Sequence, residues 1–209
     1  MKTNRIEIII SGIGGQGVVY SANLIGRAAL YQSAKGGSAV GTGTPQRAFF
    51  RHKFSSNIAH YGPESRGSVT TSEVVISNPI PHNQIDYPCV ESPNIFIAMH
   101  QKGYDYHITN HKTDISHLKY LIYDSTIVTI PKITMPHIDN LNLIAIPASQ
   151  LAKEKLKNIM MANIILTAAL VKATGIITRN NLERALKEMV TTKDYQLNLQ
   201  AIKIGYLVV

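Results

Sequence analysis

The segment from Arg5 to Tyr31 restricts the fold more than any other part of the chain. Arg5-Ile6-Glu7-Ile8-Ile9-Ile10-Ser11 is a near-continuous isoleucine run, the pattern of a strand buried on both faces and central in a sheet. Gly12-Ile13-Gly14-Gly15-Gln16-Gly17 follows as a turn. Val18, Ala22, Ile25 and Ala29 then recur at helical spacing. A strand, a glycine turn and a helix in that order form the first unit of an α/β fold.

The remaining pattern extends that unit. Ser68 to Ser77, Asn94 to Met99, Tyr120 to Tyr123 and Leu143 to Ile146 read as strands, and Gln101 to Asn110 as a short helix. Ala148 to Val171 gives one or two helices, and the apolar run from Ile159 to Val171, interrupted by Asn163, is a buried core helix too short to cross a membrane. Asn180 with Glu183 three residues on resembles a capping box, opening a helix whose apolar face is Leu182, Ala185, Leu186, Met189 and Val190. A last helix is expected from Asp194 to Ile204. The fold expected is an open, mostly parallel sheet flanked by helices. It is Rossmann-like, with a helical C-terminal third, and forms a single domain over residues 1–209. Residues 36–57 read as a loop insertion in which Arg47, Arg51, His52 and Lys53 are mixed with Phe49 and Phe50.

Gly12, Gly14 and Gly17 have the G-x-G-x-x-G spacing in the context that dinucleotide sites require. The acid that would hold a ribose hydroxyl about 20 residues later is missing, since no Asp or Glu stands between Glu7 and Glu64. That disfavours NAD and leaves open an NADP-type or nucleotide-binding module, a packing turn, a subunit contact or another phosphate. The same gap in acids makes residues 1–63 basic, with Lys2, Arg5, Arg27, Lys35, Arg47, Arg51 and Lys53 against Glu7. An aromatic–basic loop can bind nucleic acid, but docking on a partner subunit is the simpler reading. Cys89 is the only cysteine, so the chain holds no disulfide and no cysteine-ligated zinc or iron–sulfur site; no secretion signal is visible, and a cytoplasmic setting is expected.

A second unusual segment is Tyr61-Gly62-Pro63-Glu64-Ser65-Arg66-Gly67, whose glycines and proline fix the backbone around a phenol, a carboxylate and a guanidinium. It reads as a rigid turn or as a loop that presents a charged pair to a ligand or a neighbouring subunit. Together with Gly12–Val18 and Ser72-Glu73-Val74-Val75-Ile76-Ser77, it resembles the gamma subunit of 2-oxoacid:ferredoxin oxidoreductases of the 2-oxoglutarate and pyruvate types. Ile85-Asp86-Tyr87-Pro88, Gln101-Lys102-Gly103-Tyr104-Asp105, Leu121-Ile122-Tyr123-Asp124-Ser125, Asn163, Thr174-Gly175-Ile176 and the ending Asn198–Tyr206 follow in the family's order. The chain departs from it at Ser68, where the family usually has a second glycine, and in the longer 36–57 segment.

The resemblance implies coenzyme A-dependent oxidative decarboxylation of a 2-oxoacid to acyl-CoA and carbon dioxide, with electrons passing to ferredoxin. It implies that thiamine diphosphate, magnesium and iron–sulfur clusters reside in alpha, beta and possible delta partners, with coenzyme A as co-substrate. This chain would bind none of the cofactors alone. Gly12, Gly14, Gly15, Gln16, Gly17, Tyr61, Gly62, Pro63, Glu64, Arg66 and Gly67 are the residues expected to face ligand or subunit. Arg66 is the ligand contact of choice because its planar fork suits carboxylate or phosphate. No residue is assigned as acid, base, nucleophile or metal ligand.

The other chemistry-bearing residues have plainer readings. His107 and His111 are four apart, the spacing of a zinc pair, but lack a third ligand. They, His100 and His117 are expected to be solvated or capping. Cys89 is a structural thiol, and Met160 and Met161 are core filling.

Overall fold

A computed structural model describes residues 5–32, 54–61, 67–77, 89–130 and 140–209. The elements in chain order are β1 (Arg5–Ile13), α1 (Val18–Leu30), β2 (Phe54–Tyr61), β3 (Val69–Ser77), β4 (Ile95–Ala98) and α2 (Gln101–Tyr104). A π-helical turn, Asp105–Thr109, continues α2 and leads to β5 (Tyr120–Asp124) and β6 (Asn142–Ile146). The end of the chain is helical: α3 (Ala148–Leu156), a 3₁₀ turn (Ile159–Met161), α4 (Ala162–Thr174), α5 (Arg179–Met189) and α6 (Thr192–Leu207).

The sheet order is β2-β3-β1-β4-β5-β6. β1, β4, β5 and β6 pair in parallel, while β3 is antiparallel to both β1 and β2. Five of the six strands among the described residues therefore share one direction, as the mostly parallel expectation required, and β1 is central with six consecutive buried residues, Glu7–Gly12. Alternation sorts the strand side chains. Ile8, Ile10, Ile76, Ile95, Ile97, Ile122 and Ile146 join the core under α1 and α3–α6, whereas Ile9, Phe96, Ala98 and Leu121 pack against Tyr104, Ile108, Ile115, Leu118 and Val128. Long helices cover the first face; α2, the π turn and connecting segments cover the second.

Several expectations change. The 36–57 segment was expected to be loop, but its last four residues open β2; residues 36–53 lie outside the described residues. Phe54-Ser55-Ser56-Asn57 carries little strand pattern of its own, and its register comes from β3, with Phe54 opposite Ser77 and Tyr61 opposite Thr70. The helical stretch after Ala148 divides at Lys157, which takes a left-handed conformation (φ 53°) and ends α3. Ile159 and Met160 are consequently exposed, correcting Met160 as a core residue, while Met161 packs against the core. Thr178, not Asn180, caps α5, its side chain accepting from Asn181 N–H, and Glu183 instead pairs with Arg179 at 2.7 Å. No helix among the described residues is long and apolar enough to cross a membrane.

Candidate functional site at the strand ends

The parallel strands place their C-terminal ends together, and connections from β1 and β4 leave toward opposite faces: α1 joins the first core and Tyr104 of α2 the second. That divergence opens a crevice at the position where open α/β sheets bind ligands. A cavity of about 120 Å³ occupies it, lined by Gly15 and Gln16 after β1, Met99 after β4, Asp124 at the end of β5, and Ser149, Ala162 and Asn163 from the first turns of α3 and α4. Ile159 and Met160 complete its rim, both about half exposed.

Gln16 fastens the glycine turn to β4. Its Nε2 donates to the Met99 carbonyl at 3.2 Å, and its Oε1 accepts from Ile13 N–H at 3.0 Å. The Met99 N–H in turn donates to the Ser11 carbonyl at 2.8 Å. Gly17 caps α1 in a left-handed conformation, φ 77°, and a Cβ there would come within 2.1 Å of Asn163 Nδ2. Only glycine accepts both the backbone angle and the closeness of that amide. Packing against α4 thus explains the third glycine of the motif without any nucleotide.

The two sequence motifs meet at this place. Gly14 N–H donates to the Ser68 carbonyl at 3.2 Å, and Lys102 Nζ donates to the Gly67 carbonyl at 3.1 Å. Tyr61 ends β2, opposite Thr70, while Gly62, Pro63, Glu64 and Arg66 lie outside the described residues. His100 begins α2 by accepting the Lys102 N–H on Nδ1, so the capping expectation holds there. Burial, followed by the Lys102 charge, keeps its imidazole below the ordinary histidine value.

Three helix N-termini face the cavity, but their orphan N–H groups are answered differently. Asp124, almost fully buried, accepts from Ser149 N–H at 2.9 Å and Ser149 Oγ at 2.5 Å, and its other oxygen accepts from Thr126 N–H. That carboxylate neutralises the start of α3. At α4 the Ala162 N–H donates to the Ile159 carbonyl and the Ile164 N–H to Asn163 Oδ1 at 2.7 Å. By contrast α1 has neither a side-chain cap nor an acid in its first turn, so α1 leaves positive backbone potential beside the cavity, suited to an anionic group.

Sequence reasoning missed Met99, Lys102, Asp124 and Ser149 as site residues. Asp124 was visible as the acid closing an apolar strand, and Asn163 as a polar break in an apolar run. The histidine reading also needs correction at His107, which is buried at 6% exposure rather than solvated. His111, past the π turn with φ 51°, is exposed, and His117 Nδ1 pairs with Ser92 Oγ. Among the described residues no group of three or more His, Cys, Asp and Glu is placed to hold a metal ion.

Comparisons with known proteins agree with this fold. A family model described as "Pyruvate ferredoxin/flavodoxin oxidoreductase" matches residues 46–208. The 2-oxoglutarate synthase subunit KorC of Methanocaldococcus jannaschii is 32% identical over 202 residues, 97% of this chain and 92% of its own. The KorC subunit of Methanothermobacter marburgensis is 32% identical over 203 residues, 96% of this chain and 95% of its own. The crystal structure of a keto/oxoacid ferredoxin oxidoreductase gamma subunit from Geobacter sulfurreducens superposes with a TM-score of 0.67 at 25% identity, covering 97% of each chain. The fold also recurs, at 18% identity and a TM-score of 0.70, in 31% of a longer chain of the 2-oxoglutarate:ferredoxin oxidoreductase from Magnetococcus marinus, covering 99% of this one. The chain therefore belongs to the pyruvate ferredoxin/flavodoxin oxidoreductase family, as a gamma-type subunit of a 2-oxoacid:ferredoxin oxidoreductase.

Proposed function

We propose that this gamma-type chain, a single domain over residues 1–209, works only inside a cytoplasmic hetero-oligomer and completes the coenzyme A side of its active region. The reaction converts a 2-oxoacid and coenzyme A to acyl-CoA, carbon dioxide, a proton and two electrons, which pass to ferredoxin. 2-Oxoglutarate is the first substrate to test, since the KorC relatives named for its synthase match over nearly their whole length. The carrying observation is that the glycine turn, whose Gly15 and Gln16 line the crevice and which opens the uncapped N-terminus of α1, is joined by the Gly14–Ser68 hydrogen bond to the end of the second motif. Such a crevice suits the phosphates of coenzyme A.

This chain's part is binding and positioning. Gly12, Gly14, Gly15, Gln16 and Gly17 shape the crevice wall, and Tyr61–Gly67, with Arg66 as the ligand contact, faces coenzyme A or the neighbouring subunit. Thiamine diphosphate supplies the carbanion chemistry from the alpha and beta partners. Iron–sulfur clusters belong to partner or delta-type chains, because Cys89 alone provides no four-thiolate ligand set.

The test is reconstitution of the assembled enzyme with and without this chain, assaying coenzyme A-dependent reduction of ferredoxin by 2-oxoglutarate. Turnover should require the chain, and Arg66→Ala should lower it while the isolated chain keeps its melting temperature. Full turnover by the other subunits alone would refute the role. Wild-type rates in the Arg66→Ala complex would remove Arg66 from the site.

A further inference from the structure

His107 is a buried imidazole to which the proposed function gives no task. It sits in the π-helical turn after α2, a helix distortion that often marks functional places. Its ring lies edge-on to Phe96 and Tyr106, with centroids 5.4 and 4.9 Å away. Both nitrogens are engaged: Nδ1 with Thr113 Oγ1 at 2.7 Å, and Nε2 with Thr71 Oγ1 at 2.8 Å. Thr71 Oγ1 lies 3.1 Å from Ser11 Oγ, which also donates to the Thr70 carbonyl at 3.4 Å. A continuous chain of side-chain hydrogen bonds thus runs from half-buried Thr113 to fully buried Ser11, the residue immediately before the glycine turn.

Beyond Ser11 the path continues through backbone. The Ser11 carbonyl holds Met99 N–H, and the Met99 carbonyl holds Gln16 Nε2; Met99 and Gln16 both line the cavity. A second contact joins the same parts, because Gly103 packs so closely that a Cβ there would stand 2.7 Å from Ser11 Oγ and 2.8 Å from Gly12 N. The segment carrying His107 is therefore seated on the start of the glycine turn both by packing and by hydrogen bonds. Buried hydroxyls left without partners are costly, so a change at His107 passes to Thr71 and Ser11 rather than being absorbed by water.

We propose that His107 is a positioning residue for the ligand-facing glycine turn, acting through Thr71 and Ser11 on the Met99–Gln16 wall of the crevice. The proposal rests on the reading that this crevice serves coenzyme A. It makes the second, thinner face of the sheet part of the site's support.

The test compares Thr71→Val, His107→Gln, His107→Asn and His107→Phe. Gln places its amide near the position of Nε2 and keeps the link to Thr71; Asn reaches only toward Thr113. In the assembled enzyme, Thr71→Val and His107→Asn should raise KM for coenzyme A about fivefold, the effect of one lost hydrogen bond, with kcat unchanged. His107→Gln should stay near wild type. The Thr71→Val/His107→Phe double variant should be no worse than His107→Phe alone, because both cut one chain. In the full-length chain without ligand, Thr71→Val should shift the backbone amide resonances of Gly12 to Gln16. This arm needs no coenzyme A and so separates failure of the inference from failure of the proposed function. Shifts confined to the neighbours of Thr71, equal effects of His107→Gln and His107→Asn, or additive losses in the double variant would each overturn it. If His107→Phe does not fold, Thr71→Val and the Gln/Asn pair decide.

Discussion

Gly17 shows how one residue can satisfy a motif for reasons other than the motif's usual ligand. Its positive φ and the Asn163 amide above it both exclude a side chain. Gly17→Ala should destabilise the chain by more than about 1 kcal/mol in urea unfolding. Adding Asn163→Ala should recover part of that loss; no recovery would mean that backbone strain alone is responsible. His100 supplies a pH dependence with a definite sign. Burial and Lys102 hold its folded value below the ordinary one, so the unfolded chain takes up the proton first. Stability should therefore fall as pH drops below about 6.5, and level off once the folded imidazole is protonated as well. His100→Asn keeps a side-chain acceptor at the cap but does not titrate, so its urea midpoints should lose that slope between pH 7.5 and 5.5. An unchanged slope would place the titration elsewhere. At this scale the sequence disclosed residue types but not burial: His107 and His117 looked alike because helical spacing does not say which imidazole will lie between Phe96 and Thr71.

Elements were legible where one strong pattern covered them. The isoleucine run, the glycines and the helical spacing of Val18, Ala22, Ile25 and Ala29 led directly to β1, its turn and α1, and all four helix positions are buried. β2 was missed because an edge strand rich in serine takes its conformation from the neighbour it pairs with. The cap of α5 was misplaced because Thr178, Asn180 and Asn181 are all acceptable cap residues, and only the backbone shows which lies outside the helix. Thr178→Ala should cost about 1 kcal/mol, while Asn180→Ala should change stability by less than about 0.5 kcal/mol. Equal losses in thermal melts would contradict the observed cap. The N-terminal end of β1 relies on carboxylates in the same way: Glu7 Oε2 accepts from Glu91 and Ser92 N–H, and Glu73 Oε2 from Val90 N–H, securing the segment that leads into β4.

Among the described residues the two faces of the sheet are covered unequally. Long helices close the first face, and the strand ends open on a crevice whose rim exposes Ile159 and Met160. Exposed apolar groups beside a crevice are expected in a chain that is completed by another subunit. Met160→Glu should leave the melting temperature of the isolated chain unchanged, since the side chain is half exposed, and lower the yield of assembled enzyme. The gamma-type identity was readable from ordered motifs along nearly the whole chain. The crevice was not, because Gln16, Met99, Asp124 and Asn163 are spread over about 150 residues and only the sheet order joins them. The central question is whether this chain is an assembling subunit. Native purification of the tagged chain from its own host, followed by measurement of thiamine diphosphate, iron and coenzyme A-dependent 2-oxoacid oxidation, tests that. Copurifying chains that carry both cofactors and the activity are the predicted result; a chain that elutes alone and binds NADP with micromolar affinity would contradict it.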